Sequence, residues 1–207
     1  METMTESKRK FFDEMAPRWD SSGDPPDAIQ KQEEFVRRAT KRQPSRILDI
    51  GCGTGVLVPH LRKLCPNASL VELDFSSEML VVNRNKHGES AIEYCCNAIE
   101  SAPFPDETFD AILCFNALPH FNIEGSLCKS AALLKPKGRI AIGHLKNSDE
   151  LNAFHSALNG PVAHDHLPAA TELSKMLADL GLTVLQCEER LGWYFVLSEK
   201  SQTRSHV

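Results

Sequence analysis

The run Ile47-Leu48-Asp49-Ile50-Gly51-Cys52-Gly53-Thr54-Gly55 limits the possible folds of this chain more than any other segment. A short apolar run ends on three alternating glycines, and an apolar stripe at helical spacing follows over 56–64. That order reads as strand, tight turn and helix. Gly51 and Gly53 let the turn reverse sharply and let a ligand approach the backbone, while Gly55 lets the helix pack near the sheet. In open α/β sheets, ligands bind beyond the carboxyl ends of such strands. The turn therefore constrains both the fold class and the place where a site must lie.

The rest of the chain repeats the alternation. Strand-like runs lie at 46–50, 69–73, 91–95, 109–115, 139–144, 183–188 and 193–198. The first five are rich in Ile, Leu, Val and Ala with little polar alternation, as in strands covered on both faces. Helical spacing appears at 56–64, 78–85, 123–134 and 170–180, with Ser76 or Ser77 as a cap for the second of these. The rhythm predicts an α/β fold: a doubly wound, mostly parallel seven-stranded sheet with helices on both faces. Only Arg190-Leu191-Gly192 separates the last two strands. A parallel crossover needs about a dozen residues, so these two form a C-terminal antiparallel hairpin at an edge. Residues 1–44 read as a polar N-terminal cap or lid, 45–199 as the main domain with a substrate-facing insertion at 144–169, and 200–207 as a flexible tail.

Composition narrows the function classes. The chain has 207 residues, enough for one domain with a real core. A formal net charge of -5 gives no global attraction to nucleic acid or to an anionic membrane. No apolar run reaches membrane-spanning length, and the first fifteen residues lack the apolar core of a secretory signal. These features lead us to expect a cytoplasmic monomer or homodimer acting on a small molecule, with neither nucleic acid nor membrane as partner. The seven cysteines contain no C-x-x-C pair and read as reduced thiols, most of them buried.

Two more features sharpen the glycine turn. Asp74 ends the second strand in Val71-Glu72-Leu73-Asp74-Phe75, where a carboxylate can accept both hydroxyls of a ribose. Asn97 follows the third strand and offers a donor and an acceptor to an adenine edge. Taken with these, four ordered segments resemble motifs of the class I S-adenosylmethionine-dependent methyltransferases, of the methyltransferase-11 type. They are ILDIGCGTG, VELDFSSEML, CNAIESAPFPDETFDAILCFNALPHF and LLKPKGRIAI. The resemblance covers roughly residues 8–198 and implies a Rossmann-like methyltransferase fold with S-adenosylmethionine as cofactor.

The same resemblance implies roles. Asp49 orients the loop near the methionyl ammonium, and Gly51, Cys52 and Gly53 approach the methionyl part and ribose. Asp74 takes the ribose hydroxyls, Phe75 and Met79 flank the adenine, and Asn97 and Ala98 address its edge. Phe115 and Asn116 line the sulfonium end. Asn97 stands where the family more often has Asp, and Lys137 where a second glycine is common. The N-terminal run Phe11-Phe12-Asp13-Glu14-Met15-Ala16-Pro17-Arg18-Trp19-Asp20 resembles the family's lid, with Trp19 at its aromatic position. No N-P-P-Y-type tetrapeptide follows the fourth strand, which argues against methylation of a nucleic-acid base.

The acceptor side rests on histidines. The 144–169 segment carries His144, His155, His164 and His166, half of the eight in the chain. It contains a predicted helix over 148–158 with Ser148 as its cap. Histidine titrates near neutrality and suits a general base. His144, at the end of the fifth strand, is the first candidate, followed by His120 and His155. A metal site formed by His155, His164, Asp165 and His166 is a competing reading, and ordinary polar loop residues a third. The rival functions are an NAD-dependent oxidoreductase, which also needs a glycine turn and a ribose acid, and a non-catalytic S-adenosylmethionine-binding partner protein.

Overall fold

The computed structural model describes residues 4–21, 23, 25–88 and 91–202, so 203–207 of the expected tail lie outside the described residues. The strands are β1 (Arg46–Ile50), β2 (Ser69–Asp74), β3 (Ile92–Cys96), β4 (Phe109–Phe115), β5 (Leu134–His144), β6 (Leu182–Arg190) and β7 (Trp193–Lys200). The helices are α1 (Met4–Met15), α2 (Ala28–Ala39), α3 (Val58–Leu64), α4 (Ser77–His87), α5 (Ile123–Leu133), α6 (Ser148–Ser156) and α7 (Ala170–Asp179). The sheet order is β3-β2-β1-β4-β5-β7-β6. The pairs from β3 to β5 are parallel, and β7 runs antiparallel between β5 and β6. The hairpin expected from the three-residue linker is present, with β6 as the edge.

Successive residues of a strand point to opposite faces, and here both faces are core. Leu48, Ile112 and Ile142 pack against Leu127 and Leu133 of α5 and Leu173 and Leu177 of α7. Ile47, Leu113 and Ala141 pack against Phe35 and Val36 of α2 and Leu61 of α3. This double burial is why the central strands lack polar alternation. β3 departs from the expectation, because as an edge strand it leaves Glu93 exposed and Tyr94 and Cys95 half-buried. The cysteines depart too: Cys52, Cys65 and Cys114 are buried, whereas Cys96, Cys128 and Cys187 are exposed. The Pro136-Lys137-Gly138 turn lies within β5, where Lys137 takes a left-handed φ of 65°. That conformation accounts for the second glycine common at this position in the resembling family.

The N-terminal region is more built than a polar cap. α2 buries Phe35 and Val36 in the main core. α1 and the 3-10 turn Ala16–Ser21 form a satellite cluster in which Phe12 and Ala16 meet Met79 of α4 and Val162. Removing Phe12 from water contributes about 2–3 kcal/mol to seating α1. α6 starts one residue earlier than expected. Asn147, not Ser148, accepts from the Glu150 N–H at 2.8 Å, and Glu150 accepts from the Asn147 N–H at 3.0 Å, closing a capping box. No helix among the described residues is long and apolar enough to cross a membrane.

Candidate active site

The carboxyl ends of β1, β2 and β4 open onto two adjacent cavities. One, of about 140 Å³, is lined by Phe12, Trp19, Gln32, Gly51–Thr54, Asp74–Phe75, Met79, Phe115–Ala117 and His120–Phe121, among others. The other, of about 410 Å³, includes Asp74, Phe75, Asn97, Ala98, Glu100, His120 and Lys8. A larger groove of about 880 Å³ lies between α2 and β6 on charged outer surface, away from the glycine turn.

The glycine turn is tightly fitted. Gly51 has a φ of +65°, and a Cβ there would lie 2.5 Å from the Ala117 Cβ and 2.8 Å from the Phe121 ring. Gly53 also has positive φ, +53°, but a Cβ there would meet nothing within 4 Å. Gly51 is thus required by the fold, whereas Gly53 leaves free space against the cavity. This bare backbone beside a buried carboxylate fits the ribose and methionyl parts of S-adenosylmethionine. Asp74 accepts from the Gly53 N–H at 2.9 Å and the Ser76 N–H at 2.8 Å. Burial pushes its carboxyl up to about 6, against the lowering effect of those two donors.

A second carboxylate lies beneath the turn. Glu72 is fully buried in β2, in register with Asp49 of β1. One oxygen accepts from the Asn83 amide at 2.9 Å, and the other has no hydrogen-bond partner among the described residues. Burial raises Glu72 to about 7, and burial followed by the Glu72 and Asp74 charges pushes Asp49 well above the carboxylate range. Asn83 also donates to the Gly53 carbonyl at 3.4 Å and sits against Gly55, so Glu72 anchors the turn through Asn83.

α1 and the turn after it cover the cavity. Phe12 makes edge contacts with Trp19 and Phe75, each at 5.6 Å, and with His120 at 5.0 Å. The Ser76 hydroxyl donates to Asp13 at 2.6 Å, the Thr54 hydroxyl to Asp20 at 2.6 Å, and Lys86 to Asp20 at 2.8 Å.

The histidines separate clearly. His120 follows β4, lines both cavities, and places Nδ1 2.6 Å from the Asp165 carboxylate. Burial pushes Asp165 up, but bonds from His120 and Lys8 outweigh it and hold the carboxyl below its usual range. His155 is buried behind, its Nδ1 donating to the Asp165 carbonyl at 2.8 Å and its ring 5.5 Å from His120. His144 lines neither cavity. Its side chain shares a sheet face with Ile142 and enters the core against Tyr194, with centroids 5.9 Å apart. Burial, reinforced by His120 and His155, lowers it to about 3, and its Nε2 lacks a hydrogen-bond partner among the described residues. His164 and His166 are exposed while Asp165 is buried, and among the described residues no three His, Cys, Asp or Glu gather to hold a metal ion.

The expected cofactor residues Trp19, Gly51, Cys52, Gly53, Asp74, Phe75, Met79, Asn97, Ala98, Phe115 and Asn116 all line one or both cavities. Asp49 does not, lying instead under the turn beside Glu72. Sequence reasoning missed Gln32, Glu72 and Lys8. Glu72 left a signal, a charge flanked by Leu70, Val71 and Leu73 in the middle of its strand. Gln32 sits on α2, whose stripe of Ala28, Gln32, Phe35, Val36 and Ala39 has helical spacing.

Fold and cavities together define an α/β domain built to hold a nucleoside-bearing cofactor at a glycine turn. Residues 48–142 match the family described as a methyltransferase domain. Over those residues the chain is similar to the class I S-adenosylmethionine-dependent methyltransferases. It is 31% identical over 141 residues to a demethylmenaquinone methyltransferase of Thermus thermophilus, covering 64% of this chain and 63% of that one. It is 32% identical over 124 residues to a ubiquinone biosynthesis O-methyltransferase of Bradyrhizobium diazoefficiens, covering 58% and 48%. The chain thus spans less than two thirds of the length of these relatives. In fold it is similar to the N-methyltransferase NodS of Bradyrhizobium japonicum, solved with S-adenosyl-L-homocysteine, with a TM-score of 0.71 at 16% identity over 96% of this chain and 99% of that one.

Proposed function

We propose that this protein transfers a methyl group from S-adenosylmethionine to a hydroxyl of a small, partly apolar, uncharged molecule, with His120 as general base. The observation that carries the reading is His120 at the cavity wall with its Nδ1 held by Asp165. A carboxylate accepts only from N–H, which leaves Nε2 with the lone pair. When bound, S-adenosylmethionine supplies a sulfonium methyl that passes to the acceptor oxygen while sulfur keeps the bonding electron pair. In this reading Asp74 takes the ribose hydroxyls, Asn97 and Ala98 the adenine edge, and Phe115 and Asn116 the methionyl end. Phe12 and Trp19 exclude water and leave room for a small acceptor. His120 Nε2 takes the hydroxyl proton as the acceptor oxygen gains its methyl, and passes it to solvent afterwards. Apart from histidine, Lys8 is the sole cation among the described residues lining either cavity, and it is engaged by Asp165. A carboxylate or phosphate on the acceptor would find no partner there, which favours a neutral hydroxyl. Of the two relatives, the one named as an O-methyltransferase agrees with an oxygen acceptor.

Calorimetry with S-adenosylhomocysteine and with NAD, followed by radiolabelled methyl transfer to a panel of phenols and hydroxyquinones, tests the proposal. We expect S-adenosylhomocysteine to bind, NAD not to bind, and His120→Ala to lower turnover by roughly 10²–10⁴-fold. Binding of NAD alone would return the oxidoreductase reading. Full turnover in His120→Ala would remove the base.

A further inference from the structure

Lys8 of α1 reaches past the cavity to the histidine cluster. Its ammonium pairs with one oxygen of Asp165, and it also donates to the backbone carbonyl of His120 at 3.4 Å. The other Asp165 oxygen holds His120 Nδ1 at 2.6 Å. Lys8 therefore contacts both the base and the group that orients it. The Lys8 and Asp165 side chains are 14% and 6% exposed, so solvent screens this pair weakly. The Phe12 ring, one helical turn along the same helix, packs on the His120 ring.

We infer that Lys8 is a positioning residue, which on seating α1 fixes Asp165 and His120 and opposes a second positive charge on the imidazole. The inference rests on the reading of His120 as base and adds to it that the base is completed from the N-terminal helix. The physical argument is charge sharing on one carboxylate. Asp165 alone would stabilise a protonated His120. With Lys8 already on that carboxylate, part of the stabilisation is cancelled, and the Nε2 lone pair stays available for an acceptor proton. The groups facing His120 from the surrounding elements are Lys8 of α1, Asp165 of the loop after α6, His155 of α6 and His144 of β5. Of these, Lys8 is the one that leaves if α1 lifts away.

The test is a pH titration of the imidazole nitrogens by long-range ¹H–¹⁵N NMR on the full chain, with and without saturating S-adenosylhomocysteine. Wild type, Lys8→Met, Lys8→Arg and Asp165→Asn are compared. We expect wild-type His120 to be the Nδ1–H tautomer at high pH. In Lys8→Met its titration midpoint should rise by about one pH unit. Lys8→Arg should restore the wild-type midpoint, and Asp165→Asn should lower it. A midpoint that does not move in Lys8→Met, or that moves equally in Lys8→Met and Lys8→Arg, overturns the inference. If Lys8→Met does not fold, Lys8→Gln, which keeps a polar end without the charge, carries the same comparison. The titration needs no methyl acceptor and reads in the free protein. Failure of methyl transfer and failure of the Lys8 role are therefore separate results.

Discussion

Glu72 offers the sharpest physical prediction. It is fully buried in β2, one of its oxygens is unpartnered among the described residues, and Asp49 lies across from it in register. Burial raises its carboxyl from 4.5 to about 7. A carboxyl raised on folding binds a proton more tightly in the native state, so its contribution is full below pH 4.5 and is lost as pH rises through 7. The loss across that window is on the order of 3 kcal/mol, because each tenfold change in proton affinity is worth about 1.4 kcal/mol. Asp74, raised to about 6, and Asp49, raised well above its usual range, steepen the decline in the same direction. Glu72→Gln keeps the shape and an acceptor for Asn83, and it never ionises. Thermal unfolding of both proteins at pH 5 and pH 8 should show the variant gaining on wild type as pH rises. For a chain of this size, about 3 kcal/mol corresponds to roughly 6–12 °C. A difference in midpoint that is the same at both pH values, or that favours wild type at pH 8, would refute the reasoning.

The paired glycines give two contrasting outcomes. Gly51→Ala drives a Cβ into Ala117 and Phe121 and should destabilise the fold by about 1–3 kcal/mol, read as a lower denaturant midpoint. Gly53→Ala meets no protein atom within 4 Å and should fold at a cost of about 1–2 kcal/mol for its left-handed backbone, while S-adenosylhomocysteine affinity falls on the order of tenfold or more in calorimetry. His144→Leu removes a buried nitrogen that lacks a partner and should bind S-adenosylhomocysteine as wild type does, with a thermal midpoint no lower than wild type, because an unsatisfied buried polar group costs about 1–3 kcal/mol. Loss of binding in that variant would return His144 to the site.

How much of the fold and the site was legible in the sequence depended on how local the cause was. The glycine turn, the strand ends and the final hairpin are set by neighbours in sequence, and the cofactor candidates read from them, Asp49 excepted, line the two cavities. The position of His144 away from both cavities has a long-range reason. His144 ends a strand on the active-site side of the sheet, but the period of two that puts Ile142 into the core under α5 and α7 puts His144 there as well. Counting that period from Ile142 would have excluded it. His120 gains its significance from Asp165, 45 residues later, and from Lys8, 112 residues earlier. No spacing rule connects those three, because the lid helix, the turn after β4 and the loop after α6 meet only in the folded chain. Asp165 is informative in the sequence only as an acidic residue between two histidines, which suggested a metal. The fold sends those two histidines to solvent and turns the carboxylate inward, so the same three letters specify an oriented imidazole elsewhere.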